Sequence, residues 1–541
     1  MDHRHPGAFW RCREQQDLTP LPPAMEQVPI LLTTINAKWI HPSLALRLLK
    51  ANLGEYEIYA EILEFALRQP PEEKTAPVLA ARPRILGISV SIWNHRAVLE
   101  LLKTLDAAWG REEAPRPAVI LGGPEVSHLD TDAEILRYAE WIIRGDGELV
   151  FRDLCAILLG TPTGNRRIVE PPVPGPPLEK TASLSLVADL PSVKQVRGKF
   201  IEAEPADLAA IKSGYRLYTE EDLSRKLVYV EASRGCPFGC AFCLSAVEKE
   251  VREFPLEQFL EEMSSLIEKG ARAFKFLDRS FNLNTRRARR IMDFFSNKMK
   301  GRENPQGRSA QDRSVQGAAL YVHFEIVPSL LPAELREALT RFPPGSLRLE
   351  LGIQTFNRET AALISRASNP EAELAALEFL RRETNAIIHA DLIAGLPGED
   401  LSSFGKGFDR LWQALSVPRR NASPREGPHA EIQLGILKRL PGTPLAGWNG
   451  KYGMIFSPEP PYEVRETAAL NAASLDRLRN FARFWELMVN RGSFPVLVPR
   501  FLPPGEPVFE KFMDLAENLF ARFGRNWGID RKELEKFLGQ Y

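Results

Sequence analysis

The stretch Arg234-Gly235-Cys236-Pro237-Phe238-Gly239-Cys240-Ala241-Phe242-Cys243 decides how this chain is read. It has the form C-x3-C-x2-C, with an aromatic just before the last cysteine. Three thiolates this close on one loop can bind three irons of a cubane 4Fe–4S cluster. The fourth iron is then left without a protein ligand. Electron carriers normally use four cysteines per cluster, so an open iron points to chemistry on a coordinated small molecule. Zinc would want four ligands, usually from paired knuckles. No second C-x2-C exists in the chain, and nothing specifies His389 or His429 as a distant fourth ligand.

The cysteine loop follows directly on a strand expected at 227–232. Further strands are expected at 273–277, 322–327, 347–353, 387–393 and 432–437, with helical runs such as 256–269 and 371–382 between them. Six βα units suit a partial TIM-type (β/α)6 barrel, open on one side. Active sites of βα barrels lie at the carboxyl ends of the strands, which puts the cysteines at the mouth. The polar, helix-breaking segment 301–317 reads as a flexible insertion.

Upstream, residues 28–160 alternate strand and helix. Strands are expected from Val28, over 56–62, 85–91 and 118–123, and from Trp141 into a helix. An amphipathic helix begins after Ser43, a possible N-cap. Such alternation implies a doubly wound, Rossmann-like parallel sheet that binds ligands at its strand ends. Residues 161–226, proline-rich in their first half, read as a linker. Residues 1–27 read as a disordered leader without the apolar core of a secretory signal. Beyond residue 455 the pattern turns helical, notably over 464–492 and 507–523. That helical C-terminal domain is expected to close the barrel, with Phe481, Phe484 and Trp485 as core.

Composition narrows the classes. Of 541 residues, 70 are basic and 70 acidic, so bulk charge favours neither nucleic acid nor a membrane surface. No apolar run of about 18 residues predicts a transmembrane helix. Besides the triad the chain has only Cys12 and Cys155. That sparse usage argues against a disulfide framework and for a reducing, cytoplasmic setting.

Several strings resemble motifs of the radical S-adenosylmethionine (radical SAM) superfamily. The cysteine loop resembles its signature. Glu350-Leu351-Gly352-Ile353-Gln354-Thr355 resembles its fourth-strand motif. Asp391-Leu392-Ile393-Ala394-Gly395-Leu396-Pro397-Gly398-Glu399 resembles its fifth, and Leu440-Pro441-Gly442-Thr443-Pro444-Leu445 a common sixth-strand ending. In place of a Gly-Gly-Glu after the second strand stands Phe276-Leu277-Asp278-Arg279-Ser280-Phe281-Asn282, which is similar to the cobalamin-associated branch. The preceding doubly wound domain resembles a cobalamin-binding domain.

The resemblance implies three cofactors: a 4Fe–4S cluster on Cys236, Cys240 and Cys243, SAM on the open iron, and cobalamin. It implies radical abstraction of hydrogen from an unactivated carbon, followed by methyl transfer. Cobalamin-dependent cyclisation or rearrangement and methylthio transfer are the alternative chemistries. An electron-transfer or structural Fe–S protein is the non-enzymatic one. Candidate SAM contacts are Phe242, Asp278, Glu325, Glu350, Gln354 and Asp391. Candidate cobalamin contacts are Asn36, His41, Ser89, Ser91, Trp93, Asn94, Gly122, Gly123, Gly145 and Gly147. The Asp-x-His-x-x-Gly string that supplies a cobalt ligand in many cobalamin domains is absent; His41 lies in the corresponding loop with different spacing. An external one-electron reductant such as flavodoxin or ferredoxin is implied, acting ahead of an unidentified small-molecule or peptide substrate.

Overall fold

A computed structural model describes residues 28–111, 116–160, 180–300, 320–417, 430–448, 450–494 and 496–540. The expected leader, the linker prolines from Pro162 to Pro177 and the 301–317 insertion lie outside the described residues.

The first sheet has seven strands in the order β2-β1-β3-β4-β5-β7-β6. They are β1 (Ile30–Asn36), β2 (Ala60–Ala66), β3 (Ile85–Ser89), β4 (Ala118–Gly122), β5 (Trp141–Arg144), β6 (Val193–Arg197) and β7 (Phe200–Ala203). All pairings are parallel except β6 with β7. The core strands are apolar on both faces (Ile30, Leu31, Leu32, Val119, Ile120, Leu121), as a sheet covered by helices on each side requires. Ser43 caps the helix Leu44–Ala51 through a hydrogen bond from Leu46 N.

Two expectations are corrected here. The second strand begins at Ala60, because a 3-10 turn over Gly54–Tyr59 precedes it; Tyr56 is buried there while Ile58 is exposed. Alternating apolar residues on that turn mimic a strand. Residues 193–203, expected within a linker, form the β6–β7 hairpin and extend the sheet beyond β5.

The second sheet is parallel, in the order β15-β14-β13-β12-β11-β8. Its strands are β8 (Val228–Val230), β11 (Ala273–Phe276), β12 (Tyr321–Ile326), β13 (Leu347–Gln354), β14 (Ile387–Ala394) and β15 (Ala430–Ile436). A short antiparallel pair, β9 (Ser233–Arg234) and β10 (Arg252–Glu253), closes the base of the cysteine loop. The helix-facing side chains are apolar: Phe274 and Phe276, Val322 and Phe324, Leu349 and Leu351, Ile388 and Ala390. The alternate positions carry Lys275, His323, Glu325, Arg348, Glu350, His389, Asp391 and Glu431, so the lumen is polar. In closed TIM barrels, branched apolar layers fill that space.

A six-stranded open barrel has two edges whose backbone groups need partners. At β8, the Tyr215 hydroxyl accepts from Glu231 N (3.0 Å) and donates to Glu231 O (3.2 Å), and Tyr218 donates to Tyr229 O (2.8 Å). At β15, the Asn490 carboxamide accepts from Ile432 N and donates to Ile432 O. Asn490 ends a π-helical turn after the helix Ala472–Trp485.

That helix starts later than expected. Residues Val464–Glu466 form a strand with Ile455–Phe456, and Asn471 caps the helix by accepting from Ser474 N. Phe481 and Trp485 pack on Phe408 of the barrel helix Leu401–Ser416 and on Phe509 and Phe512 of the helix Phe509–Phe523. The C-terminal helices therefore share the barrel's core.

Candidate active site at the barrel mouth

The cysteine loop leaves β9 through Gly235, whose φ is +91°. A Cβ at that position would lie 2.0 Å from Glu250 O, so glycine alone fits. Cys236 N donates to Glu248 O (2.9 Å) and Cys243 N to Cys240 O (3.0 Å). The loop is strapped between two other strand ends: Ala241 N donates to Ile364 O after β13, and Leu445 N, after β15, donates to Ala241 O. All three thiols are free; Cys236 and Cys240 are buried and Cys243 partly so. Burial pushes the Cys236 thiol up, partly offset by hydrogen bonds from Phe238 N and Ser280. Burial also raises Cys240, opposed by the Arg366 guanidinium, whose Nη1 is 3.9 Å from Sγ. Three soft thiolates on one strapped loop suit iron of an Fe–S cluster.

The expected SAM contacts divide into two groups. Glu325, Glu350, Gln354 and Asp391 line the lumen and mouth. Glu350 Oε2 lies 3.0 Å from Lys275 Nζ and 3.1 Å from His323 Nε2. Burial alone would raise its pKa, but His323 and Lys275 hold it well below the usual carboxylate range. Burial pushes Glu325 up to about 7, against Arg279 at 3.5 Å. Asp391 is 3.1 Å from His389 Nε2, and His389 Nδ1 is 2.6 Å from Arg348 Nη2. Gln354 has φ +70° beside a bulge in β13, unusual for a side-chain-bearing residue and a recurrent mark of functional sites.

Asp278 and Phe242 are placed differently. Asp278 is 2% exposed and accepts from Ala232 N (3.0 Å) and Ser233 Oγ (2.6 Å). It braces the entry to the cysteine loop, with a pKa raised by burial to about 6. Phe242 packs against the barrel core.

A cavity of about 260 Å³ lies at the carboxyl ends of β3, β4 and β5. The helix Leu44–Ala51 and Phe151 form one side; Glu231, Arg234 and Leu277 of the barrel complete the wall. Ser89, Gly122, Gly123, Gly145 and Gly147 line it. The other expected cobalamin contacts do not. Asn36 donates to Glu64 (3.0 Å). Asn94, 1% exposed, accepts from Ser91 N within its loop and donates to Ile35 O of β1; Trp93 is 57% exposed. His41 meets Tyr229 Oη at 3.0 Å, with a pKa lowered to about 4 by burial and by Lys38 and Lys275. Gly123 (φ +102°) answers a different need from ligand approach, since a Cβ there would lie 2.5 Å from Val90 O.

The residues joining the two sheets escape the motif reading. Arg234 reaches Asp146 (3.2 Å), Glu148 (2.6 Å) and Glu231 (3.1 Å), with only 11% of its side chain exposed. Arg252 reaches Asp146 (2.8 Å) and Ala206 O (2.7 Å). On the opposite rim, Tyr462 donates to Glu125 Oε1 (2.8 Å), which also lies 2.8 Å from His95 Nδ1. The first domain thus touches both rims of the barrel. Two signals pointed here: Asp146 sits between the candidate contacts Gly145 and Gly147 with Glu148 directly after them, and Arg234 opens the cysteine loop.

The Radical SAM superfamily pattern matches residues 230–411. The chain is 24% identical over 387 residues to the 2-(S-pantetheinyl)-carbapenam-3-carboxylate methyltransferase of Streptantibioticus cattleyicolor, covering 67% of this chain and 48% of that protein. It is 24% identical over 209 residues to the tRNA-2-methylthio-N(6)-dimethylallyladenosine synthase of Thermotoga petrophila, covering 38% and 44%. The chain spans about half the length of these curated relatives. It is similar in fold to the cobalamin-dependent S-adenosylmethionine radical enzyme OxsB, solved with aqua-cobalamin and S-adenosylmethionine bound. The TM-score is 0.59 at 13% identity, covering 94% of this chain and 77% of that one; at that identity the likeness is one of fold. The cysteine loop and the strand-end motifs of the fourth and fifth strands of the open six-stranded barrel thus fall together in residues 230–411, the part of the chain that matches the Radical SAM superfamily.

Proposed function

We propose that this chain is a cobalamin-dependent radical SAM enzyme that transfers a methyl group to an unactivated carbon. The observation that carries the reading is a shared wall: Arg234 lines the strand-end cavity and stands two residues before Cys236. When bound, the cluster and SAM would supply a hydrogen-abstracting radical and the corrinoid a transferable methyl group.

The chain's own residues do the holding and orienting. Cys236, Cys240 and Cys243 would take three irons. Glu325, Glu350 and Asp391 offer carboxylates for the SAM ammonium and ribose, and Gln354 an amide. Asp278 fixes the loop that presents the cysteines. The cavity, largely apolar and glycine-bordered, suits the nucleotide tail of a corrinoid. No histidine lines it among the described residues, so this chain would offer cobalt no imidazole there. Methylthio transfer is the weaker reading, because the cysteines outside the triad, Cys12 and Cys155, are far apart in sequence and Cys155 is buried. A flavodoxin or ferredoxin in the cytoplasm fits as electron source. The substrate would be a small molecule or peptide.

Anaerobic reconstitution with iron, sulfide and hydroxocobalamin tests this. The protein should carry one cluster and one corrinoid. With SAM, substrate and reductant it should release deoxyadenosine and S-adenosylhomocysteine together. Cys240→Ala should lose the cluster and all SAM cleavage. Deoxyadenosine without S-adenosylhomocysteine would rule out methyl transfer, and retained cleavage in the Cys240 variant would overturn the cluster assignment.

A further inference from the structure

We propose that Arg366 is a positioning residue that sets the reduction potential of the cluster by donating to Cys240 Sγ; this rests on the cluster reading above. Arg366 follows the helix Arg358–Leu363, after Ser365 in the left-handed region (φ +52°). That turn belongs to the strap whose Ile364 O accepts from Ala241 N, so the guanidinium is delivered to the cysteine loop from the barrel itself. Nη2 donates to Gly352 O, which fixes the fork against β13. Nη1 is left pointing at Cys240 Sγ, 3.9 Å away. Nε is buried and makes no hydrogen bond. The same guanidinium offsets part of the burial that raises the Glu373 carboxyl, so its charge acts on more than Gly352 O.

The direction of the effect follows from charge. The cluster with three thiolates gains one negative charge on reduction. A fixed cation and an N–H···S bond in a low-dielectric site favour the more negative state. Arg366 therefore raises the midpoint and eases the electron's entry from an external one-electron donor.

The test is an EPR-monitored redox titration of reconstituted, SAM-free protein. R366Q, neutral and shorter, is expected to shift the midpoint to more negative potential at unchanged iron content. R366K, which keeps the charge but loses the fork, should fall between the two. If R366Q fails to retain the cluster, R366K carries the comparison, and a midpoint equal to wild type overturns the proposal. A wild-type midpoint in R366Q, with SAM affinity reduced instead, also overturns it and gives the guanidinium to the cosubstrate. Absence of a cluster signal in the wild type would overturn the functional reading first, and is distinguishable from a loaded cluster with an unshifted potential.

Discussion

Replacing Arg234 by methionine should unlatch the first domain from the barrel, and the loss should depend on pH. Arg234 is the cation shared by Asp146, Glu148 and Glu231 in a site where its side chain is 11% exposed. Methionine matches the stem but leaves three carboxylates with only Arg252 on Asp146. Removing one partner of a buried ion pair costs about 3–5 kcal/mol. The pH dependence comes from Glu231, whose pKa burial raises from 4.5 to about 7 against the pull of Arg234. The unfolded chain gives up this proton near 4.5 while the folded chain keeps it, so wild-type stability falls as pH rises toward 7 and then levels. Without Arg234 the folded pKa moves higher and the fall continues. The variant's deficit should therefore grow by about 1.4 kcal/mol per pH unit above pH 7. Denaturant unfolding of the full chain, followed by far-UV circular dichroism at pH 6, 7 and 8, measures it. The double variant R234M/E231Q should recover part of the loss and flatten its slope. A deficit below about 1 kcal/mol, or one that is the same at pH 6 and pH 8, would show that the latch is not electrostatic.

Other expected outcomes separate structure from function. Tyr215→Phe removes the partner of both backbone groups of Glu231 and should cost about 2–4 kcal/mol; Tyr218→Phe orphans only Tyr229 O and should cost about half as much. Equal losses in thermal melts would contradict the edge-capping account. Ala45→Trp, from an exposed position on the cavity rim, should lower bound corrinoid, read by its absorbance, while iron content stays at the wild-type level. Glu325, which ionises near pH 7, should make SAM affinity rise as pH passes through 7, and E325Q should bind weakly with a flat profile in calorimetry. A pH-dependent E325Q would move the titration to another group.

Much of the barrel was legible because its strands alternate strictly. Helix-facing Leu349 and Leu351, or Ile388 and Ala390, specify strands, and the intervening Arg348 and Glu350, or His389 and Asp391, specify a polar lumen. The cysteine loop was legible because thiol spacing is local. What escaped is what depends on partners distant in sequence. Nothing near Asn490 shows that its amide will cap Ile432, 58 residues away. Nothing near Glu125 shows that it will meet Tyr462. Asn94 and Trp93 were expected as ligand contacts because a polar loop at a strand end resembles a binding loop; the Asn94 amide accepts from Ser91 N and donates to Ile35 O of β1, a partner distant in sequence. The β6–β7 hairpin hid inside a segment whose first half is proline-rich.

The placement of charge explains why the two halves need each other. Asp146 lies at the end of the loop that follows β5 and Glu148 in the first turn of the helix Gly147–Leu158, where a doubly wound sheet presents its ligand. Arg234 lies at the start of the loop that carries the cysteines. Their ion pairs cannot form unless the cavity and the cysteine loop face one another across a fixed distance. A free first domain would expose Asp146 and Glu148 at the carboxyl edge of its sheet, and a free barrel would leave Arg234 without those two carboxylates. Shifting either domain would break the Arg234 contacts on one rim and the Glu125–Tyr462 contact on the other. Alignment of the two sites is therefore built into the buried polar contacts of the fold itself.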